Sequence, residues 1–454
     1  MMQANQWNAC SHRQRCKVVA KARHEIAAMA ERLVELCTTD QRPEPVETVS
    51  AELLPLCSAL RYIGSKGPRI LKSRGVGFLG RPLWLLGVSS EVHRQPLGKV
   101  LILAAWNYPL LLPGVQMAQA LAAGNSVLLK PAPGCEAVSA LLVDAFYRAG
   151  VPQSMLTLLA SAPQAAQDAI DSGVDLVVLT GGTQTGRSVM ARCAEKLTPS
   201  IMELSGCDAL IVGPGANLDR VAGAIAFGLS INGGATCIGP RRIIVSPEAH
   251  PQLVAAIRNR IADLPLATLH PSAQVAASNL VHDAIDRGAV DCVTGEKPVI
   301  PATIQQIKPT VLDGVGRDWP IASADIFAPV ASILVANNDD EIIEIVNGCR
   351  YRLAAAVFGT AAWASRLAGR LNVGHVSIND VIFPTADPRV PFGGCGSSGF
   401  GVTRGAEGLL AMTRPKVVAR HRGPLYIHLM PRKESDFATL MRLLKFLHGG
   451  RRKK

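Results

Sequence analysis

The chain has 454 residues, 48% of them hydrophobic and 18% charged, which excludes an intrinsically disordered protein and predicts two or three well-packed domains. Its net charge is +12, but residues 1–24 carry five Lys and Arg and no acid, and residues 414–454 carry twelve Lys and Arg against two acids. Residues 25–413 therefore have a net charge of −3, which disfavours a nucleic-acid-binding core. The basic carboxyl terminus leaves contact with a membrane or another polyanion open.

Eleven cysteines are scattered along the chain, and no two of them form a Cys-x-x-Cys pair. This pattern predicts neither a disulfide framework nor a metal site, and it is typical of a protein from a reducing cytoplasm. The amino terminus also lacks the continuous apolar segment of a secretory signal. We therefore expect a cytoplasmic protein, with peripheral contact at the inner membrane surface as the alternative that the basic tail leaves open.

Apolar side chains recur at helical spacing in the first sixty residues, for example at Val19, Ile26 and Leu33, which predicts helices there. Residues 100–129 then carry no charge, which is long enough for a membrane span. Asn, Pro, Gln and Gly interrupt this segment, so we interpret it as part of a globular core. The predicted elements are a strand at Val100–Ala105, a helix at about Gly114–Ala123 and a strand at Ser126–Leu129.

Short apolar strands alternate with helices beyond the Gly- and Pro-rich residues 75–98. The predicted strands are Val100–Ala105, Ser126–Leu129, Leu156–Leu159, Leu176–Thr180, Ala209–Val212, Arg242–Val245, Ala331–Val335, Ala354–Phe358 and His375–Asn379. This alternation predicts the α/β class with doubly wound parallel sheets. We expect two α/β domains that divide near Gly206.

One cysteine follows a glycine turn. The segment Asn232-Gly-Gly-Ala-Thr-Cys237 comes directly after an apolar run, Val221–Ile231. Gly233 and Gly234 allow backbone conformations and close approaches that other residues do not. Such a turn presents the Cys237 thiol to a cleft, where its thiolate is a nucleophile. The alternative is a buried small hydrophobic residue, which is the usual role of an arbitrary cysteine.

A second glycine turn, Gly181-Gly-Thr-Gln-Thr-Gly186, follows the predicted strand Leu176–Thr180 and precedes a helix predicted from about Arg187. A strand, a glycine turn and a helix N-terminus together form an anion site that favours a pyrophosphate. The Gly-x4-Gly spacing differs from Gly-x-Gly-x2-Gly, so an ordinary turn stays the alternative.

Three polar side chains stand at the ends of apolar segments. Lys130 ends a predicted strand, where it can bind ribose hydroxyls or a phosphate. Asn107 follows another strand and is a candidate donor to an oxyanion. Glu203 lies in an apolar run, which disfavours its charged form and makes it a candidate proton acceptor near neutrality. The alternatives are a solvated lysine, a turn residue that caps its own backbone, and a partly exposed acid.

Taken together and in this order, the motifs resemble the aldehyde dehydrogenase superfamily over residues 10–425. The matching segments are Trp106-Asn-Tyr-Pro109, Gly124-Asn-Ser with Leu129-Lys130-Pro131, Thr180-Gly-Gly-Thr-Gln-Thr-Gly186, Met202-Glu-Leu-Ser-Gly206, Asn232-Gly-Gly-Ala-Thr-Cys237, Asp325-Ile-Phe-Ala-Pro329 and Pro391-Phe-Gly-Gly-Cys-Gly-Ser-Ser-Gly399. The short amino terminus, Ile378-Asn-Asp-Val381 and Pro391-Phe-Gly-Gly394 are most similar to the class 3 branch. That branch implies aliphatic aldehydes of medium to long chain, or aromatic ones, and usually a homodimer.

The resemblance also implies a domain organisation. A Rossmann-type NAD(P)-binding domain would span residues 1–206, with a bridging segment at roughly 75–98 within it. An α/β catalytic domain would span 207–412. The remaining segments would be a bridging or oligomerisation segment at 413–432 and a basic amphipathic tail at 433–454.

By the same resemblance, the protein uses NAD or NADP to oxidise an aldehyde to the carboxylic acid. The Cys237 thiolate would attack the carbonyl, and the Asn107 side chain and the Cys237 N–H would hold the oxyanion. Hydride transfer to the nicotinamide would leave a thioester, and Glu203 would activate the water that hydrolyses it. The implied cofactor contacts are Trp106, Lys130, Thr180, Gly181, Gly182, Thr183, Gln184, Thr185, Gly186, Leu204, Asp325 and Phe327, and no metal is implied.

Several positions depart from the family pattern. Pro133 stands where relatives usually have a glutamate that binds the adenosine ribose. Such a carboxylate would repel the 2′-phosphate of NADP, so in its absence we expect NADP to be tolerated as well as NAD. Asp325 replaces a glutamate and is one methylene shorter, so the nicotinamide ribose is expected to be held more loosely. Ser205, Cys207 and Ala328 replace Gly, Lys and Gly, and these changes either tune the site or weaken it.

The carboxyl-terminal tail predicts a basic amphipathic helix. Its apolar face consists of Phe437, Leu440, Met441, Leu444 and Leu447, and its basic residues are Arg442, Lys445 and Arg451–Lys454. Such a helix can lie on an anionic membrane, although it is too short and too charged to span one. The alternative is packing within a dimer of the chain.

Two other functions stay open beside a hydrolytic aldehyde dehydrogenase. A CoA-acylating enzyme is disfavoured because Glu203, as a base for water, would have little use in it. A catalytically weak family member with a structural or membrane-associated role is favoured by the departures at Pro133, Ser205 and Asp325. It is disfavoured by intact Cys237, Glu203 and Asn107. The sequence contains no evident charged anchor for a semialdehyde substrate.

Overall fold

The computed structural model of the chain describes residues 7, 9–85, 87–298, 300–422 and 426–449. Its α-helices of seven or more residues are α1 (His12–Ala28), α2 (Ala30–Cys37), α3 (Leu54–Ile70), α4 (Leu111–Ala123), α5 (Glu136–Arg148), α6 (Pro163–Asp171), α7 (Thr183–Glu195), α8 (Leu218–Ser230), α9 (His250–Ile261), α10 (Pro271–Asp286), α11 (Asp339–Gly348), α12 (Ala361–Ala368), α13 (Gly405–Ala411) and α14 (Glu434–His448).

The strands run from β1 to β20 in chain order. They are β1 (Arg74–Val76), β2 (Val88–Pro96), β3 (Lys99–Leu103), β4 (Ser126–Lys130), β5 (Leu156–Leu158), β6 (Leu176–Thr180), β7 (Ser200–Glu203), β8 (Asp208–Val212), β9 (Pro240–Val245), β10 (Ala267–Thr268), β11 (Val290–Asp291), β12 (Gln306–Ile307), β13 (Thr310–Asp313), β14 (Val330–Val335), β15 (Tyr351–Arg352), β16 (Ala354–Phe358), β17 (His375–Ile378), β18 (Cys395–Gly396), β19 (Gly399–Phe400) and β20 (Thr413–His421).

The first amino-terminal helix has a capped start and an apolar face. The Ser11 hydroxyl accepts the Gln14 N–H of α1, and the Gln14 side chain accepts the Ser11 N–H at 2.8 Å. Apolar residues of α1 are fully buried against α3, as the helical spacing predicts. A turn at Pro45–Glu47 and a π-helix at Thr48–Leu53 join α2 to α3.

Two parallel sheets form the core. Among the described residues, one sheet has the order β19-β7-β6-β3-β4-β5, and only β19 pairs antiparallel in it. The other has the order β11-β13-β14-β9-β8-β16-β17, and only β11 pairs antiparallel. The predicted α/β class is confirmed, and every predicted strand is present. The chain passes from the first sheet to the second at Gly206, but the predicted domain boundaries stay a prediction.

The uncharged residues 100–129 lie in the interior of the protein. They form β3, α4 and β4, and every residue of α4 is buried, as expected for a helix that is apolar on all sides. In the described part of the chain, no helix has the length and apolarity needed to cross a membrane.

The chain divides into two compact units. The larger comprises Met1–Lys72 and Arg94–Pro415, and the smaller comprises Ser73–His93 and Lys416–Lys454. An antiparallel β1–β2 hairpin starts the sheet β1-β2-β20, which brings together parts of the predicted bridging segments. The tail forms α14, in which no described residue is buried. The predicted basic cluster Arg451–Lys454 lies outside the described residues.

Candidate active site

The sheet order explains why distant motifs meet. In the register of the parallel strands, Leu103 pairs with Lys130, and Thr180 pairs with Glu203. The carboxyl ends of β3, β4, β6 and β7 therefore lie at one edge of the sheet, where open α/β sheets bind ligands. A cavity of about 900 Å³ lies at this edge, and Cys237, Glu203 and Asn107 all line it.

The turn before Cys237 needs its glycines. After α8 the chain makes a tight 3-10 turn in which Asn232, Gly233 and Gly234 have φ angles of +52°, +58° and +76°. A Cβ on Gly234 would lie 2.6 Å from the Pro329 backbone. Gly234 therefore combines a left-handed conformation with a backbone approach that leaves no room for a side chain, as the sequence interpretation of the turn expects.

Asn107 is fixed beside the cysteine turn by hydrogen bonds from both sides. Its Nδ2 donates to the Ala235 carbonyl at 2.9 Å, and Asn232 Nδ2 donates to the Asn107 carbonyl at 2.8 Å. The buried Tyr108 hydroxyl shares a hydrogen bond with Thr236 Oγ1 at 2.7 Å. Because an amide nitrogen carries two N–H groups, the bond to Ala235 leaves the other for a substrate oxygen.

Glu203 ends β7 and is 4% exposed. Its Oε2 accepts hydrogen bonds from Gln116 Nε2 at 3.2 Å and Thr180 Oγ1 at 3.1 Å, and its Oε1 accepts one from Thr403 Oγ1. Burial raises the pKa of Glu203, while these donors and the Arg404 charge lower it. The raised pKa makes the Glu203 carboxylate a stronger proton acceptor than a carboxylate in water.

Burial and, to a lesser extent, the negative charges of Asp208 and Glu203 together raise the pKa of the Cys237 thiol to about 12. Arg404 acts in the opposite direction and favours the thiolate. The arginine is half-buried, lines the same cavity, and has a φ angle of +59°. Arg404 thus places a positive charge in the cavity wall, which was not anticipated from the sequence.

The Arg404 guanidinium is held in place on two sides. Its Nη1 donates to the Thr385 carbonyl at 2.7 Å, and its Cζ lies 4.8 Å from the centre of the Phe392 ring. A cation over an aromatic face is attracted by the ring. The side chain therefore has a defined place in the cavity wall near Cys237 and Glu203.

The second glycine turn differs in one detail from its sequence interpretation. The helix begins at Thr183, not near Arg187, because Gly182 is its N-cap with extended backbone. Gly181, Gly182 and Thr185 line the cavity, whereas Thr183, Gln184 and Gly186 are outside its lining. A Cβ on Gly186 would lie 2.8 Å from the Leu204 side chain, so Gly186 permits close packing of α7 on Leu204.

The other predicted cofactor contacts also border the cavity. They are Trp106, Lys130, Thr180, Leu204, Asp325 and Phe327. Burial lowers the pKa of Lys130 and raises that of Asp325, whose carboxylate accepts a hydrogen bond from Ser205. Ser205, where relatives have glycine, thus holds the shorter acid in place. Pro133 lines the cavity, and Cys207 is buried against Cys349.

Sequence reasoning missed several residues of the site. Gln116 lies on the fully buried α4, and its polarity at a buried position was the available signal. Thr403 and Arg404 lie just after the matched glycine motif that ends at Gly399. Their contacts with the site depend on β19 pairing with β7, which places Gly399 opposite Glu203.

The sequence pattern of the aldehyde dehydrogenase family matches residues 2–418. The chain belongs to the aldehyde dehydrogenase family. The prediction of an oxidoreductase of this family is therefore confirmed, while the class 3 branch stays a prediction.

Similar proteins agree with this assignment. A 4,4'-diapolycopene aldehyde oxidase of Methylomonas sp is 29% identical over 450 residues, which cover 98% of this chain and 84% of that protein. A succinate-semialdehyde dehydrogenase (NADP(+)) of Deinococcus radiodurans is 30% identical over 426 residues, covering 91% and 87%. The crystal structure of a Mycobacterium tuberculosis aldehyde dehydrogenase complexed with NAD+ has a TM-score of 0.82 at 27% identity, covering 91% of this chain and 86% of that one. The aldehyde dehydrogenase fold is thereby confirmed.

Proposed function

We propose that the protein oxidises an apolar aldehyde to its carboxylic acid, with NAD or NADP as the oxidant and Cys237 as the nucleophile. The aldehyde would be aliphatic with a medium or long chain, or aromatic. The observation that carries the proposal is that Cys237, Asn107 and Glu203, which are 34 or more residues apart in sequence, line one cavity.

The cofactor side of the cavity fits a dinucleotide. The first turn of α7 has no acidic residue, and a Cβ on Gly182 would meet open space, so the free N–H groups of the turn can approach a pyrophosphate. Lys130 would bind the adenosine ribose, and Asp325 with Phe327 would border the nicotinamide ribose and ring. When bound, NAD or NADP accepts the hydride that leaves the aldehyde carbon.

The residues of the chain would do the rest of the chemistry. The Cys237 thiolate attacks the carbonyl carbon, and the resulting oxyanion accepts hydrogen bonds from Asn107 Nδ2 and the Cys237 N–H. After oxidation the acyl group is a thioester of Cys237. Glu203 then takes a proton from the attacking water, and the thiolate leaves as the carboxylic acid forms.

An apolar substrate is supported by the rest of the cavity wall. Beside the predicted cofactor contacts, its lining includes Leu111, Leu112, Phe227, Ile231, Ile238, Leu353, Ile382, Phe383 and Phe392. Such walls bind hydrocarbon through removal of apolar surface from water. The name of the Methylomonas relative, an oxidase of a diapolycopene aldehyde, supports a long apolar substrate.

Arg404 favours a second candidate, an aldehyde that also carries a carboxylate. A guanidinium in the cavity wall can bind a carboxylate by charge and paired hydrogen bonds. The Deinococcus relative is named for succinate semialdehyde. Comparing kcat/KM for decanal, benzaldehyde and succinic semialdehyde, in the natural protein and in Arg404→Met, separates the candidates. A semialdehyde preference that Arg404→Met abolishes would establish the second one.

The assay that tests the proposal follows reduced cofactor with NAD and with NADP, in the presence and absence of CoA. We expect turnover without CoA, with the free acid as product. Turnover only with CoA would establish the acylating alternative. Absence of turnover with any aldehyde would favour a catalytically weak family member.

We also propose a homodimer, and contact of α14 with anionic membranes. The exposed side chains of α14 support the membrane contact, since Phe437 is 75% and Leu440 is 62% exposed beside Arg442 and Lys445. Removal of residues 433–454 should lower co-sedimentation with anionic liposomes and leave the sedimentation coefficient that of a dimer. Unchanged partitioning would rule out the membrane contact, and loss of the dimer would assign the tail to the interface.

A further inference from the structure

A buried ion pair lies beneath the loop that carries Asn107. Glu52 is fully buried and Arg42 is 8% exposed, and Arg42 Nη2 donates to Glu52 Oε1. The same nitrogen donates to Thr48 Oγ1 at 3.4 Å. Removal of two charges from water is costly, so a buried pair of this kind calls for a role other than stability.

Glu52 lies in a π-helix directly before α3, whose second residue is Pro55. Pro55 has no N–H and cannot make the α-helical bond to the carbonyl four residues earlier. The residues before it form a π-helix, in which the Leu54 N–H bonds to the Val49 carbonyl. π-turns are frequent at functional sites. Ser50 and Ala51 of this turn line the cavity.

The second oxygen of Glu52 caps α4. Oε2 accepts the N–H groups of Leu110 at 2.7 Å and Leu111 at 3.0 Å. These donors have no partner within their own helix, no side chain of the N-cap serves them, and Pro113 has no N–H. A carboxylate at a helix N-terminus also stabilises the helix dipole. Glu52 thus fixes the point at which α4 begins.

The beginning of α4 sets the position of the oxyanion donor. Only Tyr108 and Pro109 separate Asn107 from Leu110. A neighbouring acid, Glu47, accepts the N–H of Asn232 at 2.7 Å, in the turn that leads to Cys237. Two carboxylates five residues apart therefore hold the two loops whose side chains meet at the carbonyl of the substrate.

We propose that Glu52, supported by Arg42, is a positioning residue of the reaction: it holds the loop of Asn107 so that the amide meets the oxyanion formed at Cys237. This inference rests on the proposed function, because it needs Asn107 to be the oxyanion donor. A displacement of a catalytic group by about 1 Å costs up to a hundredfold in rate, so a distant capping residue can control kcat.

The test is a double-mutant cycle with Glu52→Gln and Asn107→Ala. A glutamine keeps the size of the side chain but replaces one acceptor by a donor, which faces either Arg42 or the α4 amides. We expect Glu52→Gln to lower kcat about tenfold to a hundredfold, with KM for the cofactor unchanged. In the Asn107→Ala background it should lower kcat less than about twofold, because the group that it positions is gone.

Glu44→Gln is the matched control, since Glu44 is an exposed acid just before the same turn. It should leave kcat unchanged. Glu52→Asp keeps the negative charge beside Arg42 but moves the carboxylate away from α4. It replaces Glu52→Gln in the double-mutant cycle if Glu52→Gln does not fold. Glu52→Asp should lower kcat by less than Glu52→Gln does, and it should not lower kcat further in the Asn107→Ala background. If the double variant loses kcat by the product of the two single-variant factors, Glu52 and Asn107 act independently and the proposal is overturned.

A second readout separates this inference from the proposed function. Hydrolysis of p-nitrophenyl acetate needs no cofactor: the Cys237 sulfur displaces p-nitrophenolate at the oxyanion donor, and water, with Glu203 as its base, then hydrolyses the acetyl thioester to acetate. If the natural protein oxidises no aldehyde, the proposed function fails, and the cycle on ester hydrolysis still tests Glu52. If aldehydes are oxidised and Glu52→Gln behaves like Glu44→Gln in both assays, the inference alone fails.

Discussion

The hydrogen bonds to Glu203 make a prediction about the pH dependence of thioester hydrolysis. Thr403 is the donor to Oε1, whereas Thr180 and Gln116 share Oε2. Thr403→Val keeps the shape of the side chain and removes the hydroxyl. Each of these donors stabilises the charged form of a buried carboxylate whose pKa burial has already raised. Removal of one donor therefore raises the pKa of Glu203 further.

The size of the effect follows from the kind of bond that is lost. A hydrogen bond to a charged group contributes about 1.5–3 kcal/mol, which corresponds to an increase of about tenfold to a hundredfold in proton affinity. Glu203 accepts a proton from water only when it is ionised. Below its pKa, hydrolysis in Thr403→Val should therefore be slower by that factor, and at high pH it should return to the rate of the natural protein.

The assay measures decay of the acyl-enzyme across a pH series, in single turnovers, for the natural protein and Thr403→Val. Thr180→Val should have a smaller effect, because Gln116 still donates a hydrogen bond to Glu203 Oε2 in that variant. The acid limb of the rate profile should move to higher pH in both, and farther in Thr403→Val. A uniform loss of rate at every pH, or an acid limb that does not move, would refute the reasoning.

Three further changes test other parts of the site. Arg404→Met should slow alkylation of Cys237 by iodoacetamide about tenfold at a fixed pH, read by peptide mass spectrometry, because a charge that favours the thiolate is lost. Ser205→Ala should raise KM for the cofactor several-fold and leave ester hydrolysis unchanged, because Asp325 loses its hydroxyl donor. Gly399→Ala should lower the free energy of unfolding in urea by at least about 2 kcal/mol, because φ is +100° and its Cβ would lie 1.8 Å from a β7 carbonyl oxygen.

Controls come from comparable positions away from the site. Arg389→Gln removes an exposed arginine that pairs with Asp387, and it should not change alkylation. Gly223→Ala places a Cβ in open space within α8 and should raise stability by about 0.5–1 kcal/mol. Alkylation that is equally fast in Arg404→Met, a cofactor KM unaffected by Ser205→Ala, or full stability in Gly399→Ala would each contradict the corresponding argument.

The strands were predictable because their apolar runs are short and end at turn residues. The bounds of Leu176–Thr180 and Ala354–Phe358 agree with the structure. By contrast, β7 was missed as a strand, because it ends in the polar Glu203. The start of α7 was placed too late, because Gly186 was interpreted as part of a turn and is a packing glycine inside the helix.

The reacting groups could be found by sequence, but their supports could not. Cys237, Asn107 and Glu203 each stand in a recognisable local motif. Thr403 reaches Glu203 from 200 residues away, and Glu52 reaches Leu110 from 58 residues away. Such contacts depend on strand order and helix packing, which the spacing of residues along the chain does not specify.

The most direct measurement of the central claim is the formation of reduced NAD or NADP from a long-chain aldehyde by purified protein, compared with Cys237→Ala. The natural protein should produce reduced cofactor and carboxylic acid in equal amounts, with the acyl group trapped on the peptide of Cys237 after acid quenching. Cys237→Ala should produce neither acid nor adduct. Equal rates of reduced-cofactor formation in the two proteins would contradict the account.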